Sequence, residues 1–136
     1  MTDYRDQVMS IGLGELADTM GIEVLEATAE RFVARMPVHG NRQPFGLLHG
    51  GANAVLAECA GSVAAALHGG PEKVPVGIEL SASHHRSVTS GHVTATATAI
   101  SLGRTVATYE ILIVDDEGNR TCTARLTCLL RDRPSV

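Results

Sequence analysis

Between His49 and His68 the chain reads HGGANAVLAECAGSVAAALH, and Glu58 is the one formally charged side chain in that run. A stretch built of alanine, valine, leucine and small residues reads as a helix buried on nearly every side. Such a helix needs other elements laid around it, so this run constrains the fold more than any other part of the sequence. A carboxylate in its middle loses hydration and persists only if it is hydrogen-bonded, paired or kept neutral. Desolvation also moves a carboxyl toward the range in which it serves as a base. A glutamate at a subunit seam, or on a solvated sliver of the helix, gives the same pattern. Spacing alone therefore leaves a structural and a catalytic reading level.

The chain has 136 residues. That length suits one domain, which buries about two-thirds of the surface its unfolded chain exposes. Two Phe, two Tyr and no Trp leave the core to aliphatic and alanine packing. A net charge of −4, with Lys73 the sole lysine and the arginines scattered, gives no footprint for nucleic acid. Cys59, Cys122 and Cys128 are odd in number and lack ligand spacing, which points to reduced, buried thiols of a cytoplasmic protein. No two of the six histidines stand at ligand spacing on a shared face, so neither a metal nor another cofactor is expected. The N-terminus MTDYRDQVMS lacks the apolar core of a signal peptide. The 49–68 run, interrupted by Glu58, reads as a core helix and not as a membrane span.

Along the chain, Thr2 or Asp3 is placed to cap a first helix that runs through MSIGLGELADTM to Gly21. Two strand-like runs follow, IEVLEATAE and RFVARMPV, then a loop at HGNRQPFG. The alanine-rich helix extends from about Gly50 to Leu67 and stops at Gly69-Gly70-Pro71. After Pro71 everything reads as sheet. VPVGIELSASHHRSV and VTATATAI form strands, Ser101-Leu102-Gly103-Arg104 makes a turn into TVATYEILIV, and Asp115 to Asn119 makes a hairpin. In TCTARLTCLL, Cys122, Ala124, Leu126, Cys128 and Leu130 share one face, while Thr121, Thr123, Arg125 and Thr127 share the other. The expected class is α+β: five or six antiparallel strands curved around one long central helix. The outer sheet face then calls for cover by another subunit, a dimer or a tetramer.

Three segments, NRQPFGLLHGGANAVLAECAGSVAA, GIELSASHHRSVTSGHV and SLGRTVATYEILIVDDEGNRTCTARLTCLL, together resemble the hotdog-fold thioesterases. The nearest branch is that of 4-hydroxybenzoyl-CoA, phenylacetate-pathway and 1,4-dihydroxy-2-naphthoyl-CoA thioesterases and the enterobactin proofreading thioesterase. The similarity runs from about Ile22 to Leu130 and implies a single hotdog domain over residues 1–136. It also implies hydrolysis of an acyl-CoA thioester, with an aromatic or related acyl group.

By that resemblance, a backbone N–H of Gly50 or Gly51 polarises the thioester carbonyl. The physics agrees, because the first amides of a helix lack internal partners and carry the positive end of its dipole. The resemblance makes Glu58 the catalytic carboxylate, either as nucleophile or as general base on water. Ser62, four residues on and on the same helical face, takes the position of a hydroxyl that orients the water or carboxylate. Gln43 falls on a glutamine that faces the thioester across a subunit boundary, and His49 on the histidine of the HGG motif. His49 stands nine residues from Glu58, about 180° around an ideal helix, so the two form no intra-helix dyad. His84 matches a histidine near the acyl group. His85, Arg86 and Ser87, with Ser101, Leu102, Gly103, Arg104, Thr105 and Val106, match segments that hold the nucleotide of CoA, Arg86 and Arg104 being suited to its phosphates. Phe45 is the main ring available to stack on an aryl group. Each of these residues also has a plainer reading: small residues for packing, a loop-anchoring histidine, solvated arginines.

Other readings stay open. Hotdog dehydratases pair a histidine with a carboxylate in settings that HGGANAVLAE fits poorly. A non-catalytic acyl-CoA-binding domain has no use for Glu58. A carrier-protein thioester shares the pantetheine arm with CoA and remains a possible substrate.

Overall fold

The computed structural model describes residues 3–134. Two short helices, α1 (Tyr4–Ile11) and α2 (Glu15–Met20), precede β1 (Glu23–Ala27) and β2 (Arg31–Pro37); then come the long helix α3 (Gly50–Gly69) and strands β3 (Lys73–His84), β4 (His92–Leu102), β5 (Val106–Asp115) and β6 (Arg120–Asp132). The six strands form one antiparallel sheet in the order β1-β2-β4-β5-β6-β3. This is the hotdog layout the sequence calls for.

The alternating strands behave as their period demands. Val93, Ala95 and Ala97 of β4, Tyr109, Ile111 and Ile113 of β5, and Cys122, Leu126 and Cys128 of β6 are fully buried on the inner face. Against them α3 lays Asn53, Leu56, Ala57, Ala60, Gly61, Ala64 and Ala65, a stripe at helical spacing. The small residues let helix and sheet approach closely. A Cβ on Gly61 would come within 2.6 Å of Leu126 Cδ2.

Several expectations need correction. The first helix is two, because Gly12 (φ +80°) and Gly14 (φ +97°) adopt left-handed or otherwise glycine-favoured backbone and break it. Asp3 stands at the cap of α1 without a side-chain cap bond, and Thr2 lies outside the described residues. The strand after Pro71 ends at His84, and residues 85–91 are irregular. Ser101 and Leu102 remain in β4, so the turn is Gly103–Thr105. Thr121 is buried, not outward: Ile113 pairs with Cys122 and Val114 with Arg120, so Thr121 is the extra residue of a bulge and donates its hydroxyl to Ile113 O at 3.2 Å.

The largest correction concerns α3. It is not buried all round: the sheet covers one stripe, and at the margin of that stripe Gly51 and Glu58 are exposed. The desolvation expected of Glu58 is not supplied by its own chain. On the same side β3 is an open edge, paired among the described residues with β6 alone, with Val76 and Ile78 exposed.

Candidate active site

The loop between β2 and α3 is pinned at both ends. Asn41 donates from Nδ2 to Met20 O and Pro37 O, each at 2.8 Å, and its own carbonyl accepts from His49 N at 2.9 Å. Leu48 N donates to Val88 O at 2.8 Å, tying the loop to the segment that follows β3. Within it, Gln43 Oε1 accepts from the backbone N–H groups of Phe45 (2.5 Å) and Leu47 (3.2 Å). Two donors on that oxygen fix the amide orientation and leave Nε2 as the free, donating end.

His49 is the N-cap of α3, and its Nδ1 accepts from Gly51 N at 2.8 Å. The next two amides are also used: Ala52 N and Asn53 N both donate to His49 O. Of the first turn, Gly50 N–H alone makes no hydrogen bond among the described residues. The open donor is therefore that of Gly50, while the Gly51 donor is occupied by the cap.

Gly50 opens onto a cavity of about 350 Å³ that it shares with Gln43, Leu47, Leu48, Asn53, His84, His85, Arg86, Ser87 and Val88. His84, at the end of β3, lies across the helix terminus: a Cβ on Gly50 would sit 3.0 Å from His84 Nε2. Its Nδ1 is 3.3 Å from Asn53 Nδ2. His85, just past the end of β3, turns to Thr123 Oγ1 at 2.9 Å. Arg86 Nε stands 3.9 Å from Asp115 Oδ2. The cavity thus gathers Gln43, Gly50, His84, His85, Arg86 and Ser87 from the expected set.

It does not gather the rest. His49 lines a separate hollow with Met20, Arg42 and Val55. Glu58 lies eight residues along α3 from Gly50, about 12 Å down the axis. Its Oε2 sits over β3, 2.9 Å from where a Cβ on Gly77 would be. Ser62, on the same face, lies near the Cys128 thiol. Burial pushes that thiol up, the Ser62 hydroxyl offsets part of the push, and the Glu58 charge adds to it. Leu102, Gly103 and Arg104 line a different hollow with His68, Lys73 and Leu130, where His68 Nε2 is 2.7 Å from Gly103 O. Arg86 N bonds to Thr121 O and Thr105 O to Leu130 N. Nine residues of β6 separate those points, about 30 Å, so Arg86 and Arg104 of one chain cannot grip one nucleotide. Phe45 is 87% exposed and is not among the residues lining the cavity.

Two residues the sequence reading did not select belong here. Asn53 is 5% exposed, and its Oδ1 has no hydrogen-bond partner among the described residues. Its one sequence signal is that it is the single amide in the 49–68 run. Gly77 leaves room for the Glu58 carboxylate, a contact between a helix and a strand that no local pattern announces.

A six-stranded antiparallel sheet along one long helix, with an open amide at that helix's first turn, defines a hotdog-fold enzyme. The profile of the thioesterase superfamily matches residues 45–122. The chain belongs to that superfamily and is a thioester hydrolase. Similar proteins include the proofreading thioesterase EntH of Cronobacter turicensis, 45% identical over 116 residues that cover 85% of this chain and 85% of that protein. Among solved structures, thioesterase HI1161 of Haemophilus influenzae superposes with a TM-score of 0.87 at 37% identity, covering 97% of this chain and 93% of that one. A mutant of thioesterase PA1618 from Pseudomonas aeruginosa gives 0.86 at 39%, covering 98% and 97%.

Proposed function

We propose that the protein hydrolyses the thioester of an aromatic or related small acyl-CoA to the free acid and CoA. The observation that carries this reading is the convergence of the unpaired Gly50 N–H, the Gln43 amide and the His84 ring on one cavity. Backbone and side-chain donors so placed stabilise the negative charge that develops on a thioester oxygen as it is attacked. Glu58 is the one carboxylate on α3, and it acts either by attacking the carbonyl carbon, with the thiolate leaving, or by taking a proton from the attacking water.

One chain holds these parts about 12 Å apart, so the working site combines the Gly50 end of one copy with Glu58 of another. The open β3 edge beside Glu58 supports such a dimer, since exposed strand edges are ready pairing surfaces. An antiparallel two-fold pairing there brings the Arg104 end of one copy toward the His84 end of the other. A tetramer would further cover the outer sheet face. We place the protein in the cytoplasm on its cysteine usage.

The EntH relative favours a second reading, in which the acyl group is carried on a protein-bound pantetheine arm and the enzyme proofreads it. Hydrolysis of a panel of aryl, short-chain and long-chain acyl-CoAs, with free-thiol detection, tests the proposal. Faster turnover of aryl-CoA esters is expected. No turnover of any CoA ester, with hydrolysis of acylated carrier protein, would transfer the assignment to the second reading.

A further inference from the structure

Asn53 is the buried polar group that the fold alone does not account for. It is 5% exposed on an otherwise apolar stripe, its Nδ2 approaches His84 Nδ1 at 3.3 Å, and its Oδ1 is unpartnered. An alanine there would leave no buried amide to satisfy, and an unmade hydrogen bond at such an atom costs stability. The residue therefore destabilises the helix face it occupies unless it serves the site.

Its effect on His84 follows from donor and acceptor chemistry. An amide Nδ2 can only donate, so the ring nitrogen facing it must carry the lone pair. The ring proton is then on Nε2, the nitrogen that lies against Gly50 at the open end of α3. In this tautomer His84 presents an N–H beside the Gly50 N–H. In the other tautomer it would present a lone pair, which repels a developing oxyanion.

We propose that Asn53 is a positioning residue that fixes the His84 tautomer, so that neutral His84 serves as a second hydrogen-bond donor next to Gly50. This rests on the thioesterase reading above for its catalytic meaning, though not for the tautomer itself. The titratable and charged groups beside His84 are His85 and Arg86, which follow it and line the same cavity, and Cys122, its register partner on β6.

The wild-type protein tests the tautomer directly. In 15N-labelled protein at pH 8, the His84 imidazole should show a protonated Nε2 and a bare Nδ1; a protonated Nδ1 would overturn the proposal. The isosteric variant Asn53→Asp supplies the kinetic test. An ionised carboxylate only accepts, so it draws the proton to Nδ1 and strips the donor from Nε2. At pH 8 kcat should fall about 10²-fold, the loss typical of one missing oxyanion donor, with KM little changed. An unchanged kcat in the variant at pH 8, or a loss confined to KM, would equally overturn it. If the wild type hydrolyses no thioester, the functional reading fails while the spectrum still decides the tautomer.

Discussion

Glu58 and Gly77 face each other across the space between α3 and β3, and the pair separates chemistry from stability at the level of single atoms. Glu58→Ala removes the one carboxylate on the helix and, since its side chain is exposed in the single chain, leaves the core intact. Turnover should drop by at least about 10³-fold with the thermal midpoint held; near wild-type kcat in the purified variant would remove Glu58 from the mechanism. Gly77→Ala asks a subtler question. The atom that must give way to the new Cβ is Glu58 Oε2, 2.9 Å away, at the end of a flexible side chain. Folding therefore loses little, while the carboxylate is displaced from its seat. A misplacement of about 1 Å can cost on the order of 10²-fold in rate, so kcat should fall with the melting temperature unchanged. A lowered melting temperature with full turnover would show Gly77 to be a packing residue only.

At the scale of elements, the sequence carried most of the layout because its periods are clean. VTATATAI can only be a half-buried strand, and the β4–β6 inner face follows its alternation down to Cys128 and Leu130. The alanine-rich run marks the central helix but not the extent of its burial, since hydrophobicity alone does not say which side a sheet from the same chain covers. The break at Gly12 and Gly14 and the bulge at Thr121 depend on backbone conformation and register, which a period-2 or period-3.6 reading smooths over. The site was legible where the resemblance reached, at Gly50 or Gly51 and at His84. It was not where contacts cross elements, as at Asn53 and Gly77. The β5–β6 hairpin carries the clearest pH dependence. Burial works against the Asp115 charge, but N–H donors from Asn119 and Glu117, at 2.9–3.1 Å, and the nearby Arg86 outweigh it and hold the carboxyl below its ordinary value. A lowered folded pKa stabilises the hairpin above the unfolded value, near 4, and that contribution is lost as pH falls through the folded one. Asp115→Asn should melt lower than wild type at pH 7, and the gap should close as pH falls through the lowered folded value. A gap that persists in acid would show that the charge on Asp115 is not what holds the turn.

For the whole molecule, the roughly 30 Å between the Arg86 and Arg104 ends of a chain means that any ligand spanning both must bridge two copies. Arg104→Ala should raise KM for a CoA ester far more than it lowers kcat, and the effect should shrink with added salt and vanish for a pantetheine ester without the nucleotide. Equal losses on both esters would make Arg104 a structural residue. The shared site itself can be tested by mixing two dead enzymes. Gly50 is the first residue of α3, where proline is well tolerated, and His49 before it is already extended at φ −66°, ψ 131°. Gly50→Pro thus deletes the open N–H without breaking the helix, and Glu58→Ala deletes the carboxylate. If each site draws Gly50 from one copy and Glu58 from the other, a mixed dimer of the two variants contains one intact site and one doubly damaged one. Random reassortment makes half the dimers mixed, so turnover should rise to about a quarter of the wild-type level. If both groups act within one chain, no mixed dimer has an intact site and turnover stays at the level of the separate variants. Light scattering well above the 14.3 kDa of one chain must accompany the recovery, and recovery from a monomer would contradict the two-copy site.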